Sequence, residues 1–198
     1  MSTYFYEIVQ GTDEWFDIKR GKFGASSAAE LLMTPGTAGY QKLINKIVFE
    51  RITGKTAESY SNGWMERGLE LEPEAIQHYE LSTFNKVKRV GYASCNEWVG
   101  CSPDGLIGED GLIQIKCPAW NTQLEYYFSN KVPGNYYKQC QFELFVTGRS
   151  YNIFYAYHPG LKPFICKIER DEEMIKQIVV KLDESIQLVK QRIAKLTE

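Results

Sequence analysis

Apolar residues recur at spacings of three and four near the C-terminus, where Ile175, Ile178, Val179, Leu182, Ile186, Val189, Ile193 and Leu196 form one stripe. Acids at 171–173 and bases at 190, 192 and 195 suit the dipole of such a helix, so a long helix is predicted over 171–196. The same periodicity predicts helices over 40–53, stopped by Gly54; over 63–81, carrying Trp64, Leu69, Ile76 and Tyr79; and over 135–146, ended by Gly148. Nearer the start, 12–21 has a Thr12 cap, acids in its first turn, Lys19 and Arg20 in its last, and Gly21 beyond. Ser27 and Glu30 have capping-box spacing, which predicts a second helix opening near Ser26 with its donor-rich end free to meet an anion. Short strand-like runs lie at 87–93, 98–102, 112–116, 151–157 and 164–168, punctuated by Pro103-Asp104-Gly105, by 108–111 and by His158-Pro159-Gly160. Those at 98–102 and 112–116 read as neighbours joined by a tight connection. The order of elements predicts an α/β fold with a mixed central β-sheet flanked by helices, as a single domain over 1–198.

Composition narrows the partners. With 198 residues, 43% of them apolar, the chain can bury one sizeable core. Lys and Arg total 23 against 25 Asp and Glu, a net charge of −2, so any grip on nucleic acid must come from a local basic surface. No run reaches the roughly 18–20 apolar residues of a membrane span, and the start lacks the basic-then-apolar order of a signal peptide. A cytoplasmic protein without membrane contact is expected. The five cysteines are scattered, with no C-x-x-C, and the histidines are His78 and His158. That pattern supports neither disulfides nor a zinc or iron–sulfur site, and predicts buried free thiols.

The densest chemistry lies between Ser102 and Pro118. Asp104 sits at a strand bend, and Gln114 and Lys116 follow on the next strand, where period-two alternation points both to one face. An acid, an oxygen ligand and a lysine converging there would hold a hard divalent ion beside a phosphate. Taken singly, each residue has an ordinary reading. Pro103-Asp104-Gly105 is a turn tripeptide, Lys116 a solvated strand lysine, Glu72 a helix-surface acid and Ser26 a helix cap. Lys19 and Arg20 suit a last helical turn without any ligand. Tyr126-Tyr127-Phe128 and Tyr136-Tyr137 are better read as packing than as base-stacking platforms.

Jointly they carry more. Four blocks occur in order: Glu14-Trp15 through Arg20-Gly21 to Ala25-Ser26; Gly68 through Glu72 to Tyr79-Glu80; Ser102-Pro103-Asp104-Gly105-Leu106 with Leu112 to Pro118; and Gln139-Cys140-Gln141 to Val146-Thr147. This series resembles the PD-(D/E)xK nuclease superfamily and, within it, the phage lambda exonuclease family of viral alkaline exonucleases used in recombination. The resemblance implies a restriction-endonuclease-like core and a Mg²⁺-dependent 5′→3′ exodeoxyribonuclease, with Mn²⁺ as a substitute and one or two ions. It implies action on ends of linear double-stranded DNA bearing a 5′-phosphate, leaving 3′ single-stranded tails for annealing. It further implies a homotrimeric ring, a phage single-strand annealing protein as partner, and a phage or prophage gene expressed in the bacterial cytoplasm.

By the same resemblance Asp104 is the principal metal ligand, Glu72 a further carboxylate, and Ile115 a backbone carbonyl donor. Lys116 orients and helps deprotonate the attacking water, Lys19, Arg20 and Ser26 bind the terminal phosphate, and Ser102 and Gln139 are further polar groups of the site. Two positions depart from the pattern: Lys19 stands where the family has arginine, and Gln114 where it has glutamate. An amide oxygen still coordinates a divalent ion, but one negative charge is missing, which bears on the second ion and on the rate. Two alternatives therefore stand beside the exonuclease: a DNA-end-binding form disabled at Gln114, natural or introduced, and a restriction-type endonuclease on the same core.

Overall fold

The computed structural model describes residues 3–57 and 63–198, apart from the side chains of 63–66, where Trp64 lies. In chain order its elements are β1 (Tyr4–Tyr6), α1 (Asp13–Lys19), β2 (Phe23–Gly24), a 3-10 turn (Ala25–Ser27), α2 (Ala28–Leu31), α3 (Ala38–Thr53), α4 (Gly63–Thr83), β3 (Val87–Lys88), β4 (Tyr92–Ser94), β5 (Val99–Cys101), β6 (Gly105–Ile107), β7 (Gly111–Lys116), α5 (Trp120–Ser129), α6 (Gly134–Thr147), β8 (Tyr151–Ala156), β9 (Phe164–Glu169) and α7 (Glu172–Thr197). Local chemistry sets many of these ends. The Thr12 hydroxyl accepts from Trp15 N at the start of α1, and the Asp171 carboxylate caps α7 through Glu173 N and Met174 N. Gly54 and Gly148 end α3 and α6 in the left-handed conformation.

The strands form two sheets. A mixed five-stranded sheet has the order β3-β6-β7-β8-β9, with β7 and β8 parallel and the other pairs antiparallel. The β7–β8 crossover runs through α5 and α6, as a parallel pair requires. The smaller sheet has the order β1-β4-β5-β2. Against it α2, α3, α6 and α7 bury the largest core, which includes Phe23, Ile44, Phe142, Ile178, Leu182 and Val189. In β7 the alternation is decisive: Ile113 and Ile115 pack with Ala75 and Tyr79 of α4, while Leu112 packs with Leu144 of α6. Gln114 therefore shares the α6 face with Leu112 and with Lys116.

The second sheet changes one expectation from the sequence. The run at 98–102 does not neighbour 112–116: β5 pairs with β4 and β2, and β7 pairs instead with β6 in a hairpin, Gly105 opposite Ile113. β6 is three residues long and begins directly after Asp104, so it carries too little periodicity to separate from a turn. Gly105 has a specific reason: a Cβ there would lie 2.2 Å from Val87 Cγ1 on β3. α5 is also new relative to the pattern, because aromatic residues, a preceding proline and an N-cap without a side-chain bond give little helical signal. All five cysteines are free; Cys95, Cys101 and Cys140 are buried, whereas Cys117 and Cys166 are only half-buried.

Candidate active site

Asp104 is placed by the bend between β5 and β6 and pulled inward by β7. Its Oδ2 accepts from the backbone N–H of Ile115 at 2.6 Å and from Nε2 of Gln114 at 2.5 Å. Burial raises its pKa to about 6; the nearby Glu72 charge adds to this, while Lys116, the Ile115 N–H and Arg89 pull it down. Gln114 in turn passes the hydrogen bonding on. Its Oε1 accepts from Gln139 Nε2 at 2.7 Å, and the same nitrogen donates to Glu143 Oε1 at 3.1 Å. Glu143, fully buried on α6, also accepts from Asn152 Nδ2 at 2.8 Å. Burial first, and Asp104 second, push its carboxyl up to about 8.

The sequence reading offers the Gln114 oxygen to a cation. In the structure the amide nitrogen faces Asp104 and the oxygen faces Gln139. Gln139 presents its NH₂ to Glu143 Oε1, and the second hydrogen of that NH₂ falls on the Gln114 oxygen.

Glu72 comes from the face of α4 that meets β7, half-buried and ion-paired with Arg89. Arg67 of the same helix ties its guanidinium to the carbonyls of Cys117 at 3.1 Å and Pro118 at 3.2 Å, which docks α4 on the end of β7. Lys116 Nζ lies 5.2 Å from the centre of the Tyr136 ring, on the α6 side with Gln114. The carboxylates of Asp104 and Glu72 and the Ile115 carbonyl are hard oxygen donors, a set that suits Mg²⁺. Among the described residues no three His, Cys, Asp or Glu side chains gather closely enough to hold a metal by themselves.

A basic surface adjoins this site through Trp15, whose Nε1 donates to Ser102 Oγ at 2.9 Å and to the Gly91 carbonyl at 3.1 Å. Lys19 Nζ rests 3.2 Å from the Trp15 ring centre, and burial, then Lys46, lower its pKa to about 8. Arg20 is ion-paired with Asp17 and donates to Thr56 Oγ1 at 3.3 Å. Glu50, buried, accepts from Gly21 N at 2.8 Å and so fixes the loop after Lys19 and Arg20. Gly21 has a positive φ of 66°, a conformation that glycine tolerates. Ser26 is exposed, but within the 3-10 turn that precedes α2 and not as a helix cap. The capping box is absent: Ser27 donates to the Gly24 carbonyl at 3.0 Å and makes no cap bond, because the turn holds it outside the helix.

Asp104, Gln114, Ile115 and Gln139 are thus joined by hydrogen bonds, with Lys116 and Glu72 within electrostatic reach of Asp104. Lys19 and Ser102 meet through Trp15. Sequence reasoning missed Glu143, Arg89 and Lys46. Arg89 and Lys46 lie outside the elements that carry Glu72 and Lys19, and no local pattern marks them; Glu143 shares α6 with Gln139, and its one available signal was an acid one helical turn after Gln139.

The comparison with known families decides the affiliation. A model described as the YqaJ-like viral recombinase domain matches residues 14–150. The chain belongs to this family. Among solved structures, the alkaline exonuclease LHK-Exo of Laribacter hongkongensis is 34% identical, with a TM-score of 0.86 over 94% of this chain and 96% of that one. Its complex with dAMP gives a TM-score of 0.87 at the same 34% identity, over 93% and 96% of the two chains. A phage-related exonuclease from Haemophilus somnus, 15% identical with a TM-score of 0.71 over 91% of this chain and 99% of that one, shares the fold. No curated protein sequence gives a significant match. The family and its relatives make this chain a nuclease of the lambda exonuclease type on a restriction-endonuclease-like fold. No helix among the described residues is long and apolar enough to cross a membrane.

Proposed function

We propose that the chain is a Mg²⁺-dependent 5′→3′ exodeoxyribonuclease that degrades one strand from the ends of linear double-stranded DNA. It leaves 3′ single-stranded tails for recombination by single-strand annealing. The observation that carries this reading is the convergence of Asp104, the Ile115 backbone and Lys116 on the end of β7, with Glu72 facing them from α4. Asp104, Glu72 and the Ile115 carbonyl would hold Mg²⁺, with Mn²⁺ as substitute. When bound, the ion supplies charge neutralisation at the scissile phosphate and lowers the pKa of water.

The chain's own residues do the rest. The Ile115 N–H and the Gln114 NH₂ fix Oδ2 of Asp104, so the carboxylate is oriented before substrate arrives. Lys116 orients the attacking water and stabilises charge on the phosphate. Arg89 holds Glu72 in place by an ion pair; were Glu72 to hold a cation, the Arg89 guanidinium would be available to backbone phosphate. Lys19, with Arg20 and Ser26, binds the 5′-phosphate; Trp15 and Ser102 tie that subsite to the strand that delivers Asp104. A homotrimeric ring and a phage annealing protein as partner, in the bacterial cytoplasm, follow from the family resemblance and complete the proposal.

The test is incubation with linear duplex DNA, 5′-phosphorylated or not, and with covalently closed circles, with and without Mg²⁺. Loss of one strand from phosphorylated ends with circles untouched supports the exonuclease. Cut circles would mean a restriction-type endonuclease, and Mg²⁺-assisted binding of ends without cleavage would mean an end-binding protein disabled at Gln114. Light scattering of the same sample reads the oligomeric state.

A further inference from the structure

The buried polar chain behind Asp104 contains a carboxylate that the proposed chemistry does not use. Glu143 is wholly buried, and its hydrogen bonds come from two neutral amides, Gln139 and Asn152. Isolating an acid in this way costs several kcal/mol unless a positive charge lies within reach. Lys116 and Asp104 face it from β7 and from the bend before β6, and the thiols of Cys101 and Cys140 lie on β5 and on its own helix. Lys116 alone is cationic, and Asp104 competes for it.

A second observation concerns direction. Once ionised, Glu143 only accepts, so it fixes which end of the Gln139 amide faces it; Gln139 then donates to Gln114, and Gln114 donates to Asp104. The polarity of the whole chain is set at Glu143 and delivered at Asp104.

We propose that Glu143 is a positioning residue that supplies, from α6, the buried negative charge absent from strand position 114, acting on the cation site through space and through the Gln139–Gln114 amide chain without being a ligand. The inference rests on the metal-dependent nuclease reading. In that arrangement the site keeps three acids, Asp104, Glu72 and Glu143, with one held back from the cation. Gln114 is then a donor that orients Asp104 instead of a weakened ligand.

The experiment is calorimetric titration of the metal-free protein with Mg²⁺ at about pH 9, where the Glu143 carboxyl is ionised, for wild type, Glu143→Gln, Gln114→Glu, the double variant and Asp104→Asn. Glutamine at 143 keeps an acceptor for Gln139, and Asn152 can turn its unpartnered Oδ1 toward the new NH₂. Glu143→Gln should bind Mg²⁺ about 10- to 100-fold more weakly than wild type, as expected for losing a unit charge near a divalent ion. It should melt no lower than wild type. Moving the carboxylate back, in the double variant, should restore affinity to within about tenfold.

Equal affinity of Glu143→Gln and wild type, or a double variant no better than Glu143→Gln, overturns the proposal. Should Glu143→Gln by itself melt below wild type, the double variant measured against Gln114→Glu reads the same charge: affinity lost supports the proposal, affinity unchanged overturns it. Wild type that shows no Mg²⁺ binding sensitive to Asp104→Asn removes the metal-dependent reading itself, and this inference with it.

Discussion

Glu143→Gln should raise the stability of the metal-free protein by an amount that grows with pH. In the folded chain burial and Asp104 lift the Glu143 carboxyl from 4.5 to about 8, against the opposing pull of Gln139, Asn152 and Lys116. The folded form therefore holds this proton more tightly than the unfolded form. Wild-type stability falls as pH rises from the unfolded value, and the loss is complete above the folded one. The rise corresponds to roughly 4–5 kcal/mol above pH 8 and to roughly 3 kcal/mol at pH 7. Asp104, itself raised to about 6, shares the repulsion, so Asp104→Asn and Glu143→Gln will not add. Cys101 and Cys140, which also face Glu143, are held protonated by burial and leave the window unchanged. For a domain of this length a stabilisation of that size raises Tm by about 10 °C. Differential scanning calorimetry in chelator from about pH 5 to pH 9 would show the two melting curves nearly together at the acid end and separated at the alkaline end. A gap independent of pH, or a variant that melts lower throughout, would refute the reasoning, since the hydrogen bonds of Glu143 would then outweigh the penalty on its charge.

Asp104→Asn should abolish cleavage by about a thousandfold or more while leaving the fold intact, read as nucleotide release together with an unchanged circular dichroism spectrum. Lys19→Ala should lose about tenfold in the preference for 5′-phosphorylated over 5′-hydroxyl ends, and in wild type that preference should fade as pH rises through about 8, where Lys19 loses its charge. Gly105→Ala should destabilise by about 1–3 kcal/mol in urea unfolding, because the new methyl would sit 2.2 Å from Val87 Cγ1, and should lower activity by moving the adjoining Asp104.

Much of this protein is determined within short windows of its sequence. Thr12 and Asp171 cap their helices, Gly54 and Gly148 end theirs, and the stripe from Ile175 to Leu196 lies on α7, because helix ends and amphipathic faces depend on neighbours a turn or two away. Period-two alternation likewise put Gln114 and Lys116 on one face of β7, and the ordered motif blocks indicated the family. The tertiary structure decided the rest. It split the strands into two sheets, since pairing partners are chosen by long-range packing and β6 is too short to declare itself. It showed which atom of Gln114 meets Asp104, an orientation set by Glu143 and Gln139 on a distant helix. It also brought Arg89 to Glu72 and Lys46 near Lys19. Charge and hydrogen-bond direction act through space, so the electrostatics of the site are readable only once α4, α6 and β7 have been folded together.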